Sequence, residues 1–171
     1  MRIALLSALI GATVVSAANM VPALAQTVID RAQRDELFLV PNEDPGMAAA
    51  MRKARATLKD FLATASKPAP TMKGFSVKVP VREGKEAEYF WIAPFERKGT
   101  RFTGQINNTP RTVRSVKAGQ TIEFAEEEIA DWLYLDNGKM KGNYTACVLI
   151  RNAPKDQQEA FKKRYGLDCD A

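Results

Sequence analysis

Apolar and polar positions change their period several times along this chain, and each change marks an element. Arg2 is followed by an apolar run from Ile3 to Val15 that only small residues interrupt, and Ala23-Leu24-Ala25 has the small-x-small form of a signal-peptidase site. That apolar core is shorter than the ~20 residues a spanning helix needs, so residues 1–25 are expected to be a cleaved signal peptide rather than an anchor. Cleavage after Ala25 leaves Gln26 first, and no cysteine follows the run where a lipid would be attached. Residues 26–43 are mixed and end in Pro41-Asn42-Glu43, which suits a lead-in with a short strand near Leu37 to Val40.

Helical spacing begins at Asp44-Pro45, an N-cap followed by proline at the first helical position, where its missing N–H is no loss. Met47, Ala50, Met51, Ala54, Leu58, Phe61 and Leu62 then recur three and four apart, which predicts one amphipathic helix from Pro45 to Thr64. Lys67-Pro68-Ala69-Pro70 cannot continue it.

Beyond these prolines the period drops to two. Phe75, Val77, Val79 and Val81 alternate with Ser76, Lys78 and Pro80, and Glu83-Gly84 turns the chain into a strand around Glu88 to Ile92. Further strands are predicted at Arg101 to Asn107, Thr112 to Val116 and Thr121 to Phe124, separated by Asn108-Thr109-Pro110 and Ala118-Gly119. Ala125 to Ile129 reads as a brief helical turn before a strand at Asp131 to Tyr134. The Asn137-Gly138 pair suits a two-residue hairpin turn. Tyr144 to Arg151 is apolar enough to be a central strand, and Pro154 opens a short helix with Ala160, Phe161 and Tyr165 on one side and Gly166 as its cap.

These elements predict an α+β single domain, with the N-terminal helix packed on a curved antiparallel sheet of about five or six strands and a short C-terminal helix at the edge. An SH3-like half-barrel is the variant. The expected organisation is a signal peptide at 1–25, a lead-in at 26–43, the α+β domain at 44–151 and a C-terminal helix with a tethered tail at 152–171.

Charge and cysteines refine this picture. The formal net charge is +5, and of the 25 basic residues only Arg2 falls in the signal, so the mature chain stays mildly basic. For an exported protein that charge favours an anionic envelope polymer or lipid headgroup over nucleic acid, and no dense basic patch with interleaved aromatics is present. No second segment is apolar enough to span a bilayer after cleavage. Cys147 and Cys169 are the two cysteines, and in an oxidising compartment they are expected to pair. Closing the loop between them restricts the unfolded chain by roughly 3 kcal/mol in the entropy model. They lack the Cys-x-x-Cys spacing of a redox pair.

The chain contains no histidine. Ser-His and Cys-His nucleophile pairs, His-bearing zinc sites and imidazole acid-base chemistry are thereby excluded. Nor is there a glycine-rich phosphate loop or a dinucleotide fingerprint, and no cofactor is assigned. Glu126, Glu127, Glu128 and Asp131 form the densest carboxylate group, beside Trp132. Paired carboxylates such as Glu126 and Asp131 are what glycoside hydrolysis uses, whereas a solvated acidic turn that keeps Ile129 and Trp132 toward the core is the structural alternative. The group lacks the Asp-x-Asp-x-Asp-Gly spacing of a calcium loop, so no metal is assigned. Trp132, Asp131 and Asn143 are the candidate binding residues. The apolar surroundings of Trp91 and Trp132 favour core anchors over ligand platforms, and Asn107, Asn108 and Asn143 lie at turns, where Asn usually serves backbone geometry.

Several segments in order resemble those of a bacterial family of unknown function, the YegJ-like domain DUF2314. They are Asp44-Pro45 with Met47, Ala50 and Ala54; Gly74 to Lys78; Glu88 to Ile92 around Trp91; and Phe102, Gly104 and Ile106 followed by Asn107 to Pro110. The series continues with Val116-Lys117, Gly119-Gln120, Ile129, Asp131-Trp132, Tyr134 and Gly142-Asn143-Tyr144-Thr145, and so covers residues 44–150. The resemblance implies a shared fold and brings no reaction with it. The tail carrying Cys169 lies beyond the matching segments.

Taken together, these features lead to the expectation of a periplasmic or secreted, non-catalytic binding or interaction domain for an envelope protein, peptide or anionic polymer. The competing expectation is a histidine-free hydrolase of cell-wall glycan that works through Glu126 and Asp131.

Overall fold

In the computed structural model, residues 44–151 and 153–169 are described, so the expected signal peptide, the lead-in and the short strand near Leu37 lie outside them. The first helix, α1 (Pro45–Ala56), starts as its sequence dictates. The Asp44 side chain accepts the Met47 N–H at 3.0 Å, and Pro45 follows it. That backbone hydrogen bond, helped by the Arg151 guanidinium, holds the Asp44 carboxyl below its ordinary value.

The continuous helix expected from Pro45 to Thr64 is instead broken at Thr57, and α2 runs from Leu58 to Ser66. Thr57 has φ −108° and ψ 3°, and its hydroxyl donates back to the Lys53 and Ala54 carbonyls at 2.9 and 3.2 Å. A hydroxyl competing for carbonyls of the preceding turn bends a helix without altering its apolar spacing. The predicted face survives the bend, with Met47, Ala50, Ala54, Leu58 and Phe61 all buried.

Six strands follow: β1 (Met72–Glu83), β2 (Glu86–Lys98), β3 (Arg101–Ile106), β4 (Thr121–Ala125), β5 (Asp131–Asp136) and β6 (Lys139–Gly142). They form one curved, wholly antiparallel sheet in the order β4-β3-β2-β1-β5-β6. Register divides the sheet by chemistry. Val77 lies between Ile92 and Trp132, and the next residue, Lys78, lies between Trp91 and Asp131. Because side chains alternate, the first trio faces one side and the second the other.

On the first side the helices close the core. The Phe61 ring stacks 4.8 Å from Trp132 and also meets Phe75, Phe95 and Tyr134, while the Trp132 indole N–H donates to the Ala54 carbonyl at 3.0 Å. The bend at Thr57 thus falls between two residues, Ala54 and Phe61, that both grip Trp132.

Two strand expectations fail. Thr112 to Val116 is an irregular loop joining β3 to β4, because its backbone N–H groups are taken by side chains rather than by a neighbouring strand. The Glu88 carboxylate accepts from Arg111, Thr112 and Val113, and the Glu83 carboxylate accepts from Arg114. Tyr144 to Arg151, expected as a central strand, is helix α3 (Tyr144–Ile150). The Asn137-Gly138 turn, with φ 49° and 77°, does form the predicted hairpin, but its returning strand is only β6. Gly142 and Asn143 then take φ 76° and 55°, and a Cβ on Gly142 would meet the Trp132 carbonyl oxygen at 2.1 Å. The chain therefore swings away from the sheet and winds into α3. An apolar run of this length has no period that separates a buried strand from a buried helix.

The last helix, α4 (Lys155–Tyr165), follows Pro154 and ends at Gly166 in the left-handed region, as expected. Ala160 is exposed, whereas Phe161 joins Ala146, Ile150 and Leu167 in a second small core beside the sheet edge. Replacing Phe61 with Ala is expected to cost about 3–5 kcal/mol, because a ring at the centre of the main core leaves a cavity. Urea unfolding should show a lower midpoint with an unchanged slope.

Candidate functional site

Asp131, a candidate both for binding and for the alternative hydrolase, is 0% exposed, and it is joined by two side chains that sequence did not single out. Lys78 on β1 is 4% exposed and Thr145 on α3 is 0% exposed. The Thr145 hydroxyl donates to Asp131 Oδ2 at 2.6 Å and accepts from Lys78 Nζ at 2.9 Å. Asp131 also accepts the Thr145 N–H and the Trp132 N–H, both at 2.9 Å. Lys78 Nζ in addition lies 5.1 Å from the centre of the Trp91 ring. Burial pushes the Asp131 carboxyl up from its ordinary value, and the Lys78 ammonium and the Thr145 and Trp132 donors pull it the other way.

A threonine hydroxyl held between a carboxylate and an ammonium has the composition of an activated nucleophile. Here it is buried, and among the described residues no buried side-chain nitrogen or oxygen lacks a hydrogen-bond partner. The group acts as a brace across β1, β5 and α3. Lys78 escaped notice because Val77-Lys78-Val79 reads as a strand with one solvated face, and Thr145 because it sat in a predicted strand. The one signal for Thr145 was its place in the Gly142-Asn143-Tyr144-Thr145 segment.

Asp131, Trp132 and Asn143 meet through backbone rather than by converging side chains. The Asn143 N–H donates to the Trp132 carbonyl at 2.7 Å, while its side-chain amide lies 3.2 Å from Met140 Sδ. Trp132 is 6% exposed, stacked on Phe61 and edge-on to Tyr144. Glu126 lies in the predicted turn, a 3-10 segment from Glu126 to Glu128, and pairs at the surface with Arg97 at 2.5 Å. Thus Asp131 is interior and Glu126 partly solvated.

Cys147 on α3 is bonded to Cys169, which ties the tail after α4 back to α3. Among the described residues no group of three or more His, Cys, Asp or Glu side chains comes together as a metal site, and no helix is long and apolar enough to cross a membrane. Two shallow cavities of about 350 and 380 Å³ flank Pro94 and Phe95, and none of the candidate site residues lines them.

The model of a family described as uncharacterised proteins conserved in bacteria, DUF2314, matches residues 44–169, and so extends through Cys169. Escherichia coli (strain K12) has a similar protein, the uncharacterised protein YegJ, which is 29% identical over 130 residues, or 76% of this chain and 84% of that protein. A putative ankyrin repeat protein of Neisseria meningitidis serogroup B is 25% identical over 96 residues. That match covers 54% of this chain but only 38% of the relative. No solved structure matches.

If the brace works as described, Lys78→Met alone should destabilise the fold by about 3–5 kcal/mol, because it leaves Asp131 buried without its cation. Combining Lys78→Met with Asp131→Leu should cost clearly less than the sum of the single changes, which a double-mutant cycle of unfolding free energies measures. Reduction of the Cys147–Cys169 bond should lower stability by roughly 3 kcal/mol in the entropy model and release the tail first, read as protease sensitivity beyond Arg151.

Proposed function

The chain belongs to the DUF2314 family, and from that premise we propose that it acts as an exported, non-catalytic interaction domain of the periplasm. The observation that carries this reading is how the carboxylates are employed. Asp131 braces strands to a helix, Glu88 and Glu83 hold a loop by its backbone, Asp44 caps α1, and Glu126 pairs with Arg97. A glycan hydrolase needs two carboxyl groups facing each other across open space that holds the sugar. Asp131 has no exposed surface to offer a sugar, and its hydrogen-bonding capacity is spent internally.

Export is supported by the apolar run behind Arg2 and by Ala23-Leu24-Ala25, and the Cys147–Cys169 bond is consistent with an oxidising compartment. The partner in this reading is an envelope protein, a peptide or an anionic polymer, held by surface contacts rather than in an enclosed pocket.

Osmotic-shock fractionation followed by N-terminal sequencing should find the protein outside the cytoplasm and beginning at Gln26. Recovery in the cytoplasm with residues 1–25 retained would contradict export. Purified protein incubated with isolated peptidoglycan should release no soluble fragments beyond a heat-denatured control. Release that disappears in Glu126→Gln would establish the hydrolase instead.

A further inference from the structure

The loop between β3 and β4 combines fixed backbone with unpaired positive charge. From Gly104 to Ile122 the chain contains no acidic residue, yet it carries Arg111, Arg114 and Lys117. A connection of this length without regular structure is usually either functional or disordered. This one is fixed. Asn107 donates its N–H to the Trp91 carbonyl at 2.8 Å, the buried Asn108 side chain accepts the Trp91 N–H at 2.9 Å, and Val113 is 2% exposed in the main core.

The acidic residues that touch this loop, Glu88 and Glu83, bind its backbone N–H groups and not its cations. The arginine side chains are therefore left outside, and Arg111, Arg114 and Lys117 are all exposed and without an ion-pair partner among the described residues. Around the β2–β3 turn the opposite holds, since Arg97, Lys98 and Arg101 are each paired with a glutamate. Exposed Thr112 and Ser115 add hydroxyl donors between the loop cations, and the Glu83 contact brings Arg114 to the end of β1, next to the turn that carries Lys85.

We propose that this loop, Arg111 to Lys117, is the docking surface for a phosphate-bearing anionic polymer. The proposal rests on the reading of the chain as an interaction domain and names the chemistry of its partner. Guanidinium forks and hydroxyls match the several acceptor oxygens of a phosphate group, and a fixed backbone spares the ordering cost of binding. The apolar residues of the loop, Val113 and Val116, are turned to the core, so the surface has nothing to insert into a bilayer and suits a hydrated polymer.

Linear inorganic polyphosphate is the probe, and fluorescence anisotropy or calorimetry at about 0.1 M salt gives the readout. The unmodified protein should bind with an affinity that falls as salt rises. Arg111→Ala with Arg114→Ala keeps both backbone donors and should weaken binding at least about tenfold while leaving the thermal midpoint unchanged, by loss of charge-assisted contacts. Lys139→Ala with Lys141→Ala, exposed cations on β6, should leave binding unchanged. No binding of polyphosphate by the unmodified protein, an equal loss in the β6 pair, or binding to phosphatidylglycerol vesicles but not to polyphosphate would each overturn the proposal. The non-catalytic reading fails separately, by turnover of peptidoglycan.

Discussion

The buried contact between Lys78, Thr145 and Asp131 is the constraint from which the arrangement of the second half of the chain follows. Taking an ammonium and a carboxylate out of water costs several kcal/mol per ion, and their attraction repays it only when the remaining donors and acceptors are satisfied. Asp131 meets that condition with two backbone N–H groups and one hydroxyl. Two of these three come from Thr145, so the carboxylate is satisfied only if the chain after β6 returns to it. Gly142 and Asn143, in the left-handed region, supply the turn that makes the return possible. Helix α3 is consequently held at its first turn by a side chain on β5. The tail then follows, since Cys147 bonds to Cys169 and the Gly166 carbonyl accepts the Met140 N–H on the edge strand.

The opposite face of the same strands shows why so much of the fold was legible. Val77, Ile92 and Trp132 share a face because strict alternation leaves them no other choice, and Phe61 reaches them from a helix whose apolar spacing is equally plain. Period identifies which residues turn inward. It does not identify what a polar residue does once it is there. Lys78 obeys the alternation and lies on the face opposite the Phe61–Trp132 contact, which in sequence looks like solvent, yet there Thr145 of α3 meets it. The same limit applied to Tyr144–Ile150, where apolar character was evident but the conformation depended on Asp131, a residue more than a turn away in sequence. The break at Thr57 stayed hidden for a related reason, because a hydroxyl bonding back to carbonyls leaves the apolar stripe intact.

Candidate chemistry was less legible than fold. Sequence brought Glu126 and Asp131 together because they are neighbours along the chain, but neighbours around a turn take their environments from different layers. One is in the interior and the other meets Arg97 at the surface. Trp132 lies beside Asp131 in sequence and on the other face of the strand, which is the ordinary consequence of period two. In contrast, the pairing of Cys147 with Cys169 was expected from their count and from the anticipated export, since two cysteines allow one bond.

One division of labour runs through these polar groups. Several carboxylates are turned toward the chain itself, where they satisfy backbone donors that no strand or helix would otherwise serve, as Asp44 does for α1, Glu88 for the β3–β4 loop and Asp131 for α3, while others such as Glu126 and Glu123 pair with arginines. At the β3–β4 loop, Glu88 and Glu83 are aimed at backbone N–H groups, and among the described residues neither forms an ion pair with Arg111 or Arg114. The loop that Glu88 and Glu83 hold gains its fixed geometry from these contacts, while the Arg111 and Arg114 side chains stay exposed. Loosening the carboxylates would free them to pair with Arg111 or Arg114 and would cancel the charge just as the loop lost its shape.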